Sequence, residues 1–174
     1  MILIDSLIKV LEKVNRIIAL IGNSVAWLLV ALMVASILLQ VFFRYVLNNA
    51  LPWPEEAARA FMIWMMAMVA SSAYRSGSFV AIEMLQDVLP ELMAKVLRFL
   101  LLLMAAAVLY HLFVMGIEFF QRGFRTRAAS FALKRAWIYL AMPVCFGSML
   151  LVNLELLLSA FRQIFSDQTL SDPT

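Results

Sequence analysis

The chain has 174 residues, of which 65% are hydrophobic and 14% charged, against about a quarter charged in an ordinary soluble domain. That balance excludes a water-soluble fold. A net charge of +3 with no basic run excludes a nucleic-acid surface, and a single cysteine, Cys145, excludes an internal disulfide or a thiol-based metal site.

In chain order, residues 2–16 come first and read as an amphipathic helix. Ile4, Leu7, Ile8, Leu11 and Val14 recur at helical spacing, with Asp5, Lys9, Glu12, Lys13 and Arg16 largely opposite them. Such a segment is expected to lie along the membrane surface. Its mixed charge and the length of the apolar block behind it do not fit a removable signal peptide. The block Ile17–Phe43 has no acidic or basic residue, and a first membrane span is expected at about 17–45. A hydrocarbon core about 30 Å thick needs roughly 20 residues at 1.5 Å each. Arg44 and Tyr45 close this span at the headgroups, and Asn48, Asn49 and Pro52 break it.

The second span is expected at 54–77. Pro54 suits a first helical position, and Glu55 and Glu56 meet the positive end of the helix dipole. Arg59, four residues after Glu55, can pair with it. Its uncharged block, Ala60–Tyr74, is short, but Arg59 and Arg75 lie about 24 Å apart along a helix and can each extend to the nearer surface. A second surface-lying helix is expected at about 79–89. Pro90 and Glu91 then open a third span at 91–120. The arginine-rich stretch 121–135 is the one polar loop of any size. Trp137 and Tyr139 mark the interfacial entry to a fourth span at 136–160, which Pro143 is expected to kink. The whole is an all-α integral membrane protein of one domain over 1–174: four transmembrane helices, with interfacial amphipathic helices at the N-terminus and between helices two and three.

The fourteen lysines and arginines split seven and seven between the two sides of a four-span topology, so charge bias leaves the orientation open. No nucleophile–base pair, phosphate-cradling glycine loop or metal-ligand spacing is present in the sequence, which points away from an enzyme and from a bound cofactor or metal. His111, the single histidine, reads as a polar helix contact. Asn23, Ser71, Asn153 and other small polar residues of the spans read as links between helices. Glu118 and Glu155 flank their spans and are expected at the interface. The polar corner between helices one and two holds Arg44, Trp53, Glu55, Glu56 and Arg59. It reads either as a helix cap with outward-reaching arginines or as an ion-pair network shaped for a partner.

The stretch QVFFRYVLNNALPWPEEAARAFMIWMMA at 40–67 resembles the small membrane subunit of the tripartite ATP-independent periplasmic (TRAP) transporters, the DctQ-type family. Arg44, Tyr45, Trp53, Glu55, Glu56, Arg59, Phe61 and Trp64 carry the resemblance. Trp137, Tyr139, Pro143 and Gly147 extend it to helix four. Here Lys134, Arg135 and Ala136 precede Trp137, where the family often has a proline.

The resemblance implies the small non-catalytic subunit of a sodium-driven secondary transporter for uptake of a small organic acid. Such a subunit acts as scaffold for a large DctM-type transport subunit, with a periplasmic substrate-binding protein as further partner. It also implies the bacterial inner membrane and cytoplasmic termini. Arg44, Tyr45, Trp53, Glu55, Glu56, Arg59, Trp64, Trp137 and Tyr139 become the candidate partner interface. The alternatives from other classes are the membrane anchor of a respiratory complex and a self-contained small channel. A bis-histidine haem in the former would need a second histidine.

Overall fold

Lipid tails offer no hydrogen bonds, so each backbone N–H and C=O of a span must be satisfied within its own segment, and helices result. The computed structural model describes residues 2–49, 51–77, 90–125 and 135–168. The surface helix expected at about 79–89 and residues 126–134 of the arginine-rich loop lie outside them. Five helices are described: α1 (Ile2–Tyr45), α2 (Trp53–Gly77), α3 (Glu91–Gly123), α4 (Ala136–Tyr139) and α5 (Ala141–Gln168). Four helical stretches are long and apolar enough to cross a membrane, α4 and α5 together supplying the last.

The surface helix expected at 2–16 is not a separate element. α1 runs unbroken for 44 residues, about 66 Å at 1.5 Å per residue. No proline or glycine stands near Arg16 to interrupt it, and one inward stripe continues through the junction. Ile8, Asn15, Gly22, Leu29, Ser36 and Phe43, spaced by seven, are all buried or half-buried. A seven-residue repeat keeps one seam of a helix facing its neighbours. At the far end Asn48 takes a left-handed φ of 47°, which asparagine tolerates. The Asn49 N–H bonds the Phe43 carbonyl at 3.0 Å, closing the helix.

α1 packs along α2, α2 along α5, and α5 along α3, while α1 also touches α5. α5 therefore meets each of the other three spans. Most core positions are alanines: Ala26, Ala58, Ala67, Ala94, Ala136, Ala141 and Ala160 are buried. Small side chains let helix backbones approach closely, the main source of association where no water drives it. At Gly22 even a methyl group would overlap the Met68 carbonyl oxygen of α2.

The fourth span is interrupted. α4 ends at Tyr139, and α5 begins after a turn at Leu140. Pro143 lacks the N–H that would bond Tyr139, and its ring crowds the same carbonyl. The break falls three residues upstream of the proline.

Candidate partner interface

The nine candidate residues all lie at one end of the bundle, where α1 ends, α2 begins, α3 ends and α4 crosses. Glu55 and Glu56 sit in the first turn of α2 and Arg44 in the last turn of α1. Arg59 pairs with Glu55 across one turn, both side chains more than half exposed. Arg44 does not join them in a network. Its guanidinium lies over the ring of Tyr45, 5.8 Å from the centroid, a cation–π contact.

Deeper along α2, the Trp64 Nε1–H donates to the Trp137 carbonyl at 3.2 Å and joins α2 to α4. Tyr139 packs against Phe119 of α3 with ring centroids 4.7 Å apart and the planes inclined by 58°. Trp64, Trp137 and Tyr139 thus hold helices together, while Tyr45 and the Trp137 side chain remain largely exposed. Trp53 opens α2 beside Pro54, which is fully buried.

The opposite end holds a site that the linear sequence does not announce. Glu155 is turned into the bundle: its side chain is only 6% exposed. One carboxylate oxygen accepts from Asn15 Nδ2 of α1 at 2.7 Å and the other from Arg75 Nη2 of α2 at 2.9 Å. Asn15 Nδ2 also donates to the Leu151 carbonyl at 3.3 Å. Glu12 Oε1 lies 3.8 Å from the same Arg75 nitrogen, and Asp5 pairs with Arg162 at 3.1 Å. A buried carboxylate is tolerable only when charge and hydrogen bonds meet it together. Here α1 and α2 supply them. The one signal of this site in the sequence is the seven-residue inward stripe of α1, which runs back from Leu29 through Gly22 to Asn15.

A second buried tie lies toward the middle of the bundle. Asn153 of α5 is fully buried. With its amide oriented to satisfy both ends, Nδ2 donates to the Leu102 carbonyl of α3 at 3.2 Å. Oδ1 then accepts from the Tyr74 hydroxyl of α2 at 3.2 Å and the Ala106 N–H at 3.1 Å. Asn153 is therefore a link between helices, as its place in an apolar span suggests. Among the described residues, no group of three His, Cys, Asp or Glu could hold a metal ion.

The family model for the DctQ component of the tripartite ATP-independent periplasmic transporters matches residues 33–163. The chain belongs to that family. No curated protein matches its sequence. This DctQ component is a multi-pass membrane protein and a small permease component of a TRAP transporter. The match contains the whole corner from Arg44 to Trp64, with Trp137, Tyr139, Arg75, Asn153 and Glu155. The α1 partners of the buried cluster, Asp5, Glu12 and Asn15, lie ahead of it.

Proposed function

We propose that this DctQ component is the non-catalytic scaffold of a sodium-driven secondary transporter that takes up a small organic acid. Its lateral partner in this reading is a large DctM-type subunit that carries the solute and sodium sites, and a periplasmic substrate-binding protein engages the complex transiently. The chain sits in the bacterial inner membrane with its termini in the cytoplasm, so the corner from Arg44 to Arg59 faces the periplasm and serves docking.

The observation that carries the reading is the use made of the buried polar side chains. A solute or sodium site in a membrane protein directs such groups, often from interrupted helices, into a cavity near mid-membrane. Here Glu155, Arg75, Asn15 Nδ2 and Asn153 are directed at one another and at neighbouring backbones, while Asn15 Oδ1 and Ser71 Oγ are buried without a partner among the described residues. The paired groups stiffen a bundle that a moving partner can lean on.

Reconstitution in vesicles tests this. With the large subunit and the loaded binding protein, an inward sodium gradient should drive solute accumulation, and the chain by itself should drive none. Accumulation by the chain alone would refute the scaffold role, as would full transport by the other two proteins without it.

A further inference from the structure

The charges at the start of α1 are unevenly matched. Asp5 pairs with Arg162 of α5 at 3.1 Å and Glu12 lies 3.8 Å from Arg75 of α2, so both acids of residues 5–16 are taken up by other helices. Lys9, Lys13 and Arg16 are exposed, and among the described residues none of them has a partner. Lys9, Arg16, Asn23 and Val30 are spaced by seven and so share one side of α1. Arg16 stands at the edge of the uncharged block, which puts Arg16 and Lys13 in a headgroup layer about 5–8 Å deep.

On that side a groove of about 540 Å³ runs between α1 and α2, lined by Asn23, Trp27 and Val30 with Met66, Val69 and Ala73 opposite them. The contact of Gly22 with Met68 sets the antiparallel register, which puts Ala73 level with Ile17, next to Arg16. From there to Val30 is about 20 Å at 1.5 Å per residue, somewhat more than one leaflet of a hydrocarbon core about 30 Å thick. Spread over that length, the volume makes a channel about 6 Å across. One hydrocarbon chain fits it, since carbons pack about 3.5–4 Å from their neighbours, whereas a helix about 10–12 Å across does not. Asn23 is exposed in the groove, and among the described residues its amide has no hydrogen-bond partner.

We propose that this groove and the cations at its mouth form a binding site for an anionic phospholipid. One acyl chain lies between α1 and α2, the phosphate meets Lys13 and Arg16, and Lys9 adds to the positive field. Basic pockets between membrane helices hold anionic headgroups by the same forces. Helical side chains lean towards the N-terminus, so Arg16 and Asn23 both lean to the headgroup side, and the Asn23 amide donates to an ester carbonyl of the lipid. The cations and the channel adjoin on one face, and a molecule that carries an anion and a hydrocarbon chain together matches both. An acidic protein segment would meet the cations and leave the channel unfilled. The site does not depend on the scaffold reading; in the orientation proposed above, its lipid belongs to the cytoplasmic leaflet.

Photoreactive lipids test the site. The full chain is reconstituted in phosphatidylcholine vesicles with a trace of phosphatidylglycerol or phosphatidylcholine carrying a diazirine in one acyl chain, and labelled residues are found by mass spectrometry. The phosphatidylglycerol probe should label Trp27, Val30 and Met66 roughly 5- to 30-fold more than the phosphatidylcholine probe, about fivefold for each cation that meets the headgroup. Excess unlabelled phosphatidylglycerol should compete it away. Lys13→Gln with Arg16→Gln should abolish the preference, and Ala73→Phe, at an exposed position beside the mouth, should block both probes at these residues. Equal labelling by the two probes, a preference that survives loss of both cations, or groove labelling unchanged by Ala73→Phe would overturn the inference. So would benzoylphenylalanine at Trp27 crosslinking, in membranes, to a second copy of this chain or to the large subunit. The scaffold reading is decided by transport in vesicles and is distinguishable from each of these outcomes.

Discussion

Truncating the two ends of the Arg75–Glu155 pair should give unequal losses of stability. Arg75→Ala leaves a carboxylate only 6% exposed with Asn15 Nδ2 as its one remaining side-chain donor. Stranding a buried charge in this way costs about 3–5 kcal/mol. Glu155→Ala instead leaves a guanidinium that is 37% exposed and has Glu12 at 3.8 Å. Water and Glu12 can take over much of what was lost, and Asn15 keeps the Leu151 carbonyl at 3.3 Å, so the loss should be about 1–3 kcal/mol. The double variant should fall short of the sum by about 1–3 kcal/mol, because each single change already breaks the shared interaction. Reversible unfolding in mixed micelles with a rising fraction of denaturing detergent, followed by fluorescence of the four tryptophans, measures all three. A larger loss for Glu155→Ala than for Arg75→Ala, or additivity within about 0.5 kcal/mol, would refute the description of this site as a buried carboxylate held by α1 and α2.

Gly22→Ala should cost about 1–3 kcal/mol in the same assay, because the added methyl meets the Met68 backbone carbonyl and α1 must move away. Gly147→Ala should cost less than about 1 kcal/mol, since its methyl would lie 3.1 Å from the edge of the Phe113 ring, which can turn aside. Asn153→Leu, similar in size, should cost about 1–2 kcal/mol by removing the ties to α3 and Tyr74; an unchanged unfolding midpoint would contradict the assigned hydrogen bonds. Reversing Glu55 to lysine should change stability by less than about 1 kcal/mol, because the Glu55–Arg59 pair is exposed. It should lower uptake by the assembled transporter roughly tenfold if the corner meets a partner of complementary charge, and unchanged uptake would remove the docking role.

Features that depend on neighbours along the chain are legible in the residues themselves. The four spans follow from uncharged blocks whose lengths match a bilayer. The start of α2 at Trp53 and Pro54 follows from the proline and the two acids behind it, and the end of α1 follows from Asn48 and Asn49. The junction at Arg16 misleads because a change from amphipathic to uniformly apolar composition marks a change of surroundings, and nothing in it stops a helix. α1 passes through that change as one continuous helix. At the corner, spacing is enough to find the Glu55–Arg59 pair, one turn apart. It cannot place Arg44, whose side chain has Tyr45 and the acids of the next helix as competing partners and lies over the ring.

Composition and block length therefore settle the solvent, the number of spans and the helical class, since each depends on the transfer of short contiguous segments into hydrocarbon. The nine interfacial candidates gather at one end because alternating spans return to the same side in turn. Tertiary structure alone decides where the charges end. Glu155 is 80 positions from Arg75 and 140 from Asn15, and the three meet because small residues such as Gly22 and Ala67 let α1, α2 and α5 close on one another. The same packing turns Leu109 inward and leaves His111 facing out, an outcome set by which side of α3 meets α5.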